Sequence, residues 1–222
     1  AFFDVEPYAT YRNYFKVYKM AAFSEDSGVT QTDLSITKNT VFNTQFTGGS
    51  SITVTYNTVF NYALTLPGMT SERLKNLLII VMVNQNRYAG TCFMWTDGRA
   101  IALCPVSRST DNYNDFGSIL IHEAGGHGWS GLADEYIAYP GATISSASVS
   151  TYNAWSTQGF FSNIDITGDL SQVKWRQFLG LTGYDRVGAF EGAYYYDFGV
   201  WRPEESSCMM NNIHYFNAPS RE

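Results

Sequence analysis

Apolar positions in this chain gather in short runs separated by long polar stretches, and the spacing within each run predicts its element. Residues 77–84, Leu-Leu-Ile-Ile-Val-Met-Val-Asn, are an almost unbroken apolar run of strand length. Such a run predicts a central strand, covered on both faces and anchoring the sheet. Residues 100–106 predict a second short strand. The stretch 15–20, Phe-Lys-Val-Tyr-Lys-Met, is rich in aromatic and β-branched types and predicts an early one. Residues 25–49 read mostly as loop. In 56–66 the residues Val59, Phe60, Ala63 and Leu64 recur at helical spacing and Pro67-Gly68 supplies a stop, which predicts an amphipathic helix.

The polar stretch 107–115 leads into Phe-Gly-Ser-Ile-Leu-Ile at 116–121, with Asn114 or Asp115 placed to cap a helix. Residues 138–159 are dense in Ser, Thr, Gly and Ala with little periodicity and predict an irregular excursion. A short helix is expected at 175–181. The chain has 222 residues and 45% hydrophobic content, enough for a full core. One domain over 1–222 is expected, with an irregular insert at about 137–175.

Charge removes some function classes. The formal net charge of −6, with no Lys/Arg run, gives no attractive field for nucleic acid. The longest apolar run is far below the roughly 20 residues of a membrane span, so no transmembrane segment is expected. Low charge (15%) and high aromatic content (16%) suit an exported surface, with any export signal outside this sequence. A secreted, periplasmic or cell-surface monomer is expected. Cys92 and Cys104 flank a hairpin around Thr96-Asp97-Gly98-Arg99. A three-residue loop would set them face to face and a two-residue loop one position out of register, so a disulfide and two thiols both remain open.

The candidate chemistry lies on the predicted helix at His122-Glu123-Ala124-Gly125-Gly126-His127, which holds two of the three histidines in the chain. In the usual zinc helix the two histidines are four apart, about 40° around an α-helix, and share one ion. Here they are five apart. On a regular helix that leaves them about 140° apart, too far to chelate together. A π-bulge absorbs one extra residue and restores the shared face, and Gly125-Gly126 is where such a distortion would cost little. The motif therefore predicts an expanded zinc helix. His122 and His127 are ligands, and Glu123 is the base that deprotonates a zinc-bound water.

Beyond His127, Gly131 can take a left-handed conformation that ends the helix and turns the chain back. Asp134, three residues on, is the expected third ligand, with Glu135 the neighbour that could replace it. Three protein ligands leave the open position that a catalytic Zn2+ needs.

The segment 122–136, ending Gly-x-x-Asp-Glu-Tyr, resembles the IgA-peptidase-like family of metzincin metallopeptidases. So does the later stretch Glu191-Gly192-Ala193-Tyr194 through Trp201-Arg202-Pro203-Glu204-Glu205-Ser206-Ser207-Cys208-Met209-Met210. The resemblance implies an α/β (α+β) zincin with a twisted mixed sheet, an active-site helix and a C-terminal methionine turn. Met209 is then the turn methionine, with Met210 as alternative. It also implies an edge strand that pairs with an extended peptide; residues Ala100, Ile101, Ala102 and Leu103 are the candidate edge. The end at Glu222, where metzincins usually add a helix, suggests a truncated chain.

The implied activity is zinc-dependent endopeptidase action on extracellular protein or glycoprotein. Its alternative is a catalytically inactive glycan- or protein-binding domain on the same scaffold, in which the altered histidine spacing no longer supports chemistry. A remote glutamate such as Glu191 could instead be the third ligand. His214 could be a ligand or donor, and Tyr194, Tyr195, Tyr196 or Tyr215 could donate to an oxyanion.

Overall fold

The computed structural model describes residues 1–111 and 113–222. The described residues form a mixed α/β structure with six α-helices and three small sheets. They divide into two compact units, one of Tyr11–Trp129 with Ala1 and one of Phe2–Thr10 with Ser130–Glu222.

In the first unit, β1 (Thr30–Gln31), β2 (Gln45–Gly48) and β3 (Ser51–Thr53) make one sheet. Helix α1 (Tyr56–Ala63) follows, burying Val59, Phe60 and Ala63 as their spacing predicts. After α2 (Ser71–Leu74) come β4 (Leu78–Val83), β5 (Thr91–Met94) and β6 (Ala100–Pro105). Phe46, Ile52, Val59, Phe60, Ile101 and Leu103 share one apolar core.

The order in that second sheet is β4-β6-β5, with β4 parallel and β5 antiparallel to β6. Two expectations are corrected here. The apolar run in β4 is an outer strand with one face open, since Ile80 is 39% and Met82 62% exposed. The central strand is β6, whose Ala100, Ile101, Ala102 and Leu103 are hydrogen-bonded on both sides and buried. Those four residues therefore cannot be the edge that pairs with a peptide, because their backbone groups are already spent within the sheet. Alanines at 100 and 102 share one face of the strand, where their small side chains leave room for close packing. Run length and apolarity do not report which strand is flanked.

Residues 15–20 form no strand. Val17 is 64% exposed, and Phe15 instead packs its ring 4.5 Å from that of Trp129. A β-prone composition forms a strand only where a partner ladder exists.

The hairpin loop is Thr96-Asp97-Gly98, closed by the Trp95 N–H to the Arg99 carbonyl at 2.9 Å. Its three residues are centred on Asp97, one residue earlier than facing cysteines require, so Cys92 lies opposite Ala102 and not Cys104. Cys92 and Cys104 are therefore two thiols and not a disulfide. Burial pushes the Cys92 and Cys104 thiols up, with the charge of Glu123 adding to it.

The second unit has β7 (Ile137–Thr143), α4 (Ser146–Ser156), β8 (Phe190–Ala193), β9 (Tyr195–Arg202), α5 (Cys208–Asn211) and α6 (Ala218–Arg221). The sheet order is β7-β9-β8. The predicted irregular excursion over 138–159 is corrected by β7 and by α4, an 11-residue helix. Helix α4 buries only Tyr152, so it carries no apolar stripe for a periodicity search to find. It starts where the Ser145 hydroxyl accepts from the Ser148 N–H at 3.1 Å. The expected helix at 175–181 is one 3₁₀ turn, Arg176–Phe178.

Candidate metal centre

The helix that carries the histidines begins at a built cap. One Asp115 carboxylate oxygen accepts from the Gly117 N–H at 2.7 Å and the Ser118 N–H at 3.2 Å, and the other from the Ser118 hydroxyl at 2.7 Å. Helix α3 (Phe116–Leu120) then runs directly into a π-helix over Ile121–Trp129. The expected distortion is thus nine residues long, not a single bulged turn.

A π-helix closes its hydrogen bonds over five residues, so a side chain five positions on lies about one turn further along the same face. That is the separation of His122 and His127, and their ring centroids lie 4.9 Å apart at an interplanar angle of 75°. Glycine makes the geometry affordable at another point as well. A Cβ on Gly128 would come 2.5 Å from Leu78 Cδ1 and 3.2 Å from Cys92 Sγ, so its absence lets the helix lie directly on the sheet.

His122 and Glu123 are buried and His127 half-buried. Glu123 lies against Gly90, the residue before β5. A Cβ built on Gly90 would fall 2.3 Å from Glu123 Oε1 and 2.7 Å from its Cγ. Gly90 has no left-handed φ, so this glycine is required by the carboxylate beside it and not by its own backbone. Sequence reasoning missed it, because a glycine before a strand has no pattern of its own. Gly90→Ala is expected to displace the Glu123 carboxylate and to lower at least tenfold any catalysis that depends on it, while metal content, measured by plasma mass spectrometry, stays at the parent level.

Downstream, Gly131 takes φ 62°, the left-handed conformation its position predicts. The turn is then pinned from both sides. The Asn163 side chain bonds the Ala133 N–H and carbonyl, each at 2.9 Å, and the Glu135 N–H donates to the Met209 carbonyl at 2.8 Å. Asp134 is buried. Its carbonyl accepts from the Tyr194 N–H at 3.0 Å, and its Oδ2 accepts from the Tyr195 hydroxyl.

Along the continuous segment 122–134, three side chains could hold a metal ion. One donor atom each from His122, His127 and Asp134 all lie within 4.8 Å of one another. Two imidazoles and a carboxylate suit zinc or a similar divalent transition metal.

Glu135 serves elsewhere. It is fully buried, Oε1 accepting from Asn163 at 2.8 Å and Asn217 at 2.7 Å, and Oε2 from the Ser207 hydroxyl at 2.5 Å. Burial pushes its carboxyl up to about 7, against the opposing pull of those three donors and of Arg202. Glu191 is exposed and accepts from the Gly199 N–H at 2.9 Å, and His214 is exposed. Met209 is fully buried at the start of α5. Among the tyrosines, Tyr196 bonds Ser148 at 2.8 Å and Tyr215 donates to Glu204 at 2.9 Å, while Tyr195 meets Asp134. With 16 tyrosines in the chain, no sequence signal singled out Tyr195.

Three side chains that could hold a metal ion, with a buried glutamate beside His122, fit a metallopeptidase. The chain matches the family model described as IgA Peptidase M64 over residues 1–184, and it belongs to that family of peptidases. A peptidase acts on polypeptide. The matched span includes the whole segment 122–136; Met209 lies beyond it. No curated protein matches the chain. No helix of the described residues is long and apolar enough to cross a membrane.

Proposed function

We propose that the chain is a zinc-dependent endopeptidase of the metzincin type, with His122, His127 and Asp134 holding the ion and Glu123 as general base. The observation that carries this reading is the π-helix: the extra residue between the histidines, which on an α-helix would separate them, here accompanies imidazoles 4.9 Å apart. A bound zinc would supply Lewis acidity to the scissile carbonyl and to water. Glu123, which is buried, takes a proton from the attacking water and hands it to the leaving amine. The Met209 carbonyl accepts from the N–H of Glu135, the residue after Asp134, in keeping with a methionine turn.

The peptide-pairing strand in this proposal is β5. It is an outer strand of its sheet, and its N-terminal neighbour Gly90 touches the general base. An extended substrate added along it would run past Glu123. The substrates are extracellular protein or glycoprotein, in keeping with the low charge and high aromatic content.

Metal removal tests the proposal. The purified chain is expected to carry one zinc and to cleave a denatured protein internally. Dialysis against 1,10-phenanthroline should abolish cleavage, and added zinc should restore it. A chain that holds no zinc, or that cleaves equally well after chelation, would overturn it.

A further inference from the structure

We propose that Tyr195 is a positioning residue that fixes the Asp134 carboxylate for metal binding, an inference resting on Asp134 being a ligand. Tyr194 and Tyr195 join β8 to β9 with φ of 52° and 77°, two consecutive side-chain-bearing residues in the left-handed region. Glycine is the usual occupant of such positions, and bulky residues persist there only where the surroundings over-determine them. Three hydrogen bonds do so, and all run to the segment 134–136. The Tyr194 N–H donates to the Asp134 carbonyl and the Tyr195 N–H to the Tyr136 carbonyl, each at 3.0 Å, and the Tyr195 hydroxyl donates to Asp134 Oδ2.

The ring itself is held in place. Its centroid lies 5.3 Å from that of Tyr136, 5.6 Å from Tyr194 and 6.5 Å from Tyr139. A carboxylate with one oxygen engaged by a fixed donor has its rotamer set before the ion arrives. Outer-shell partners of this kind are worth about ten- to a hundredfold in metal affinity. The strained junction thus keeps a hydroxyl on Asp134 where glycines would have relaxed the backbone.

The test compares Tyr195→Phe, Asp134→Ala and the double variant, each titrated with zinc against a chromogenic chelator. The ring is retained in Tyr195→Phe, so only the hydroxyl is lost. We expect zinc affinity to fall about tenfold or more in Tyr195→Phe, and the visible bands of its cobalt-substituted form to shift. In the Asp134→Ala background the same substitution should change nothing, because the hydroxyl would have no carboxylate to hold. If Tyr195→Phe binds zinc as tightly as the parent while Asp134→Ala does not, the inference fails and the ligand assignment stands. Equal weakening by Tyr195→Phe with and without Asp134 would also overturn it, since the effect would then be one of general packing. Unchanged affinity in Asp134→Ala would remove the ligand assignment and the inference together.

Discussion

Glu123→Gln is expected to lower peptide-bond hydrolysis by about 10²- to 10⁴-fold, the range contributed by a positioned general base, which is the role proposed for Glu123. Glutamine keeps the length and shape of the side chain, so the close approach to Gly90 is preserved and the helix has no reason to move. Both imidazoles and Asp134 remain, so metal content should equal that of the parent chain. The measurement is kcat on a denatured protein substrate alongside metal analysis of the same sample. Normal turnover would sink the role given to Glu123. Loss of metal together with activity would instead show that the carboxylate supports metal binding.

The second large effect is on stability. Glu135→Ala strips the shared acceptor from three buried donors, the hydroxyl of Ser207 and the side-chain amides of Asn163 and Asn217. Each donor left without a partner costs about 1–3 kcal/mol, so a loss of about 3 kcal/mol or more is expected. For a chain of this length that corresponds to a fall in Tm of about 10 °C. Glu135→Gln retains the oxygen used by both asparagines and turns an amide toward Ser207, whose hydroxyl can rotate to accept, so its loss should be about 1 kcal/mol. Thermal unfolding followed by circular dichroism separates the two variants. Equal destabilisation by alanine and glutamine would mean that the negative charge, and not the hydrogen-bond geometry, is what the interior requires.

The alternative of an inert binding scaffold rests on the aromatic richness of the chain and on the five-residue histidine spacing, and the spacing is its argument against chemistry. That spacing counts against chelation only if the helix is α. Over Ile121–Trp129 it is π, and the face that carries one imidazole carries the other. The glycine pair that motivated the expectation lies at the middle of the segment, where the absence of side chains lowers the barrier to the wider helix.

Local patterns were legible wherever a short stretch supplies its own cause. The cap at Asp115, the apolar stripe of α1, the left-handed turn at Gly131 and the need for a widened helix between His122 and His127 each follow from a few neighbouring residues and their stereochemistry. Relations between distant segments were not legible. Neighbouring acids at 134 and 135 look alike in sequence; partners brought in from 163, 207 and 217 bury one of them, and the hydroxyl of Tyr195 meets the other. The most apolar run became an outer strand, and the alanine-rich one became the centre, because strand order depends on which backbones pair and not on how greasy each strand is. The amino-acid order alone determined which groups can do chemistry and how far apart they lie along the helix. Tertiary structure alone decided which strand faces outward, which glycine makes room for Glu123 and which tyrosine reaches the Asp134 carboxylate, because those choices are made by contacts between residues far apart in the chain.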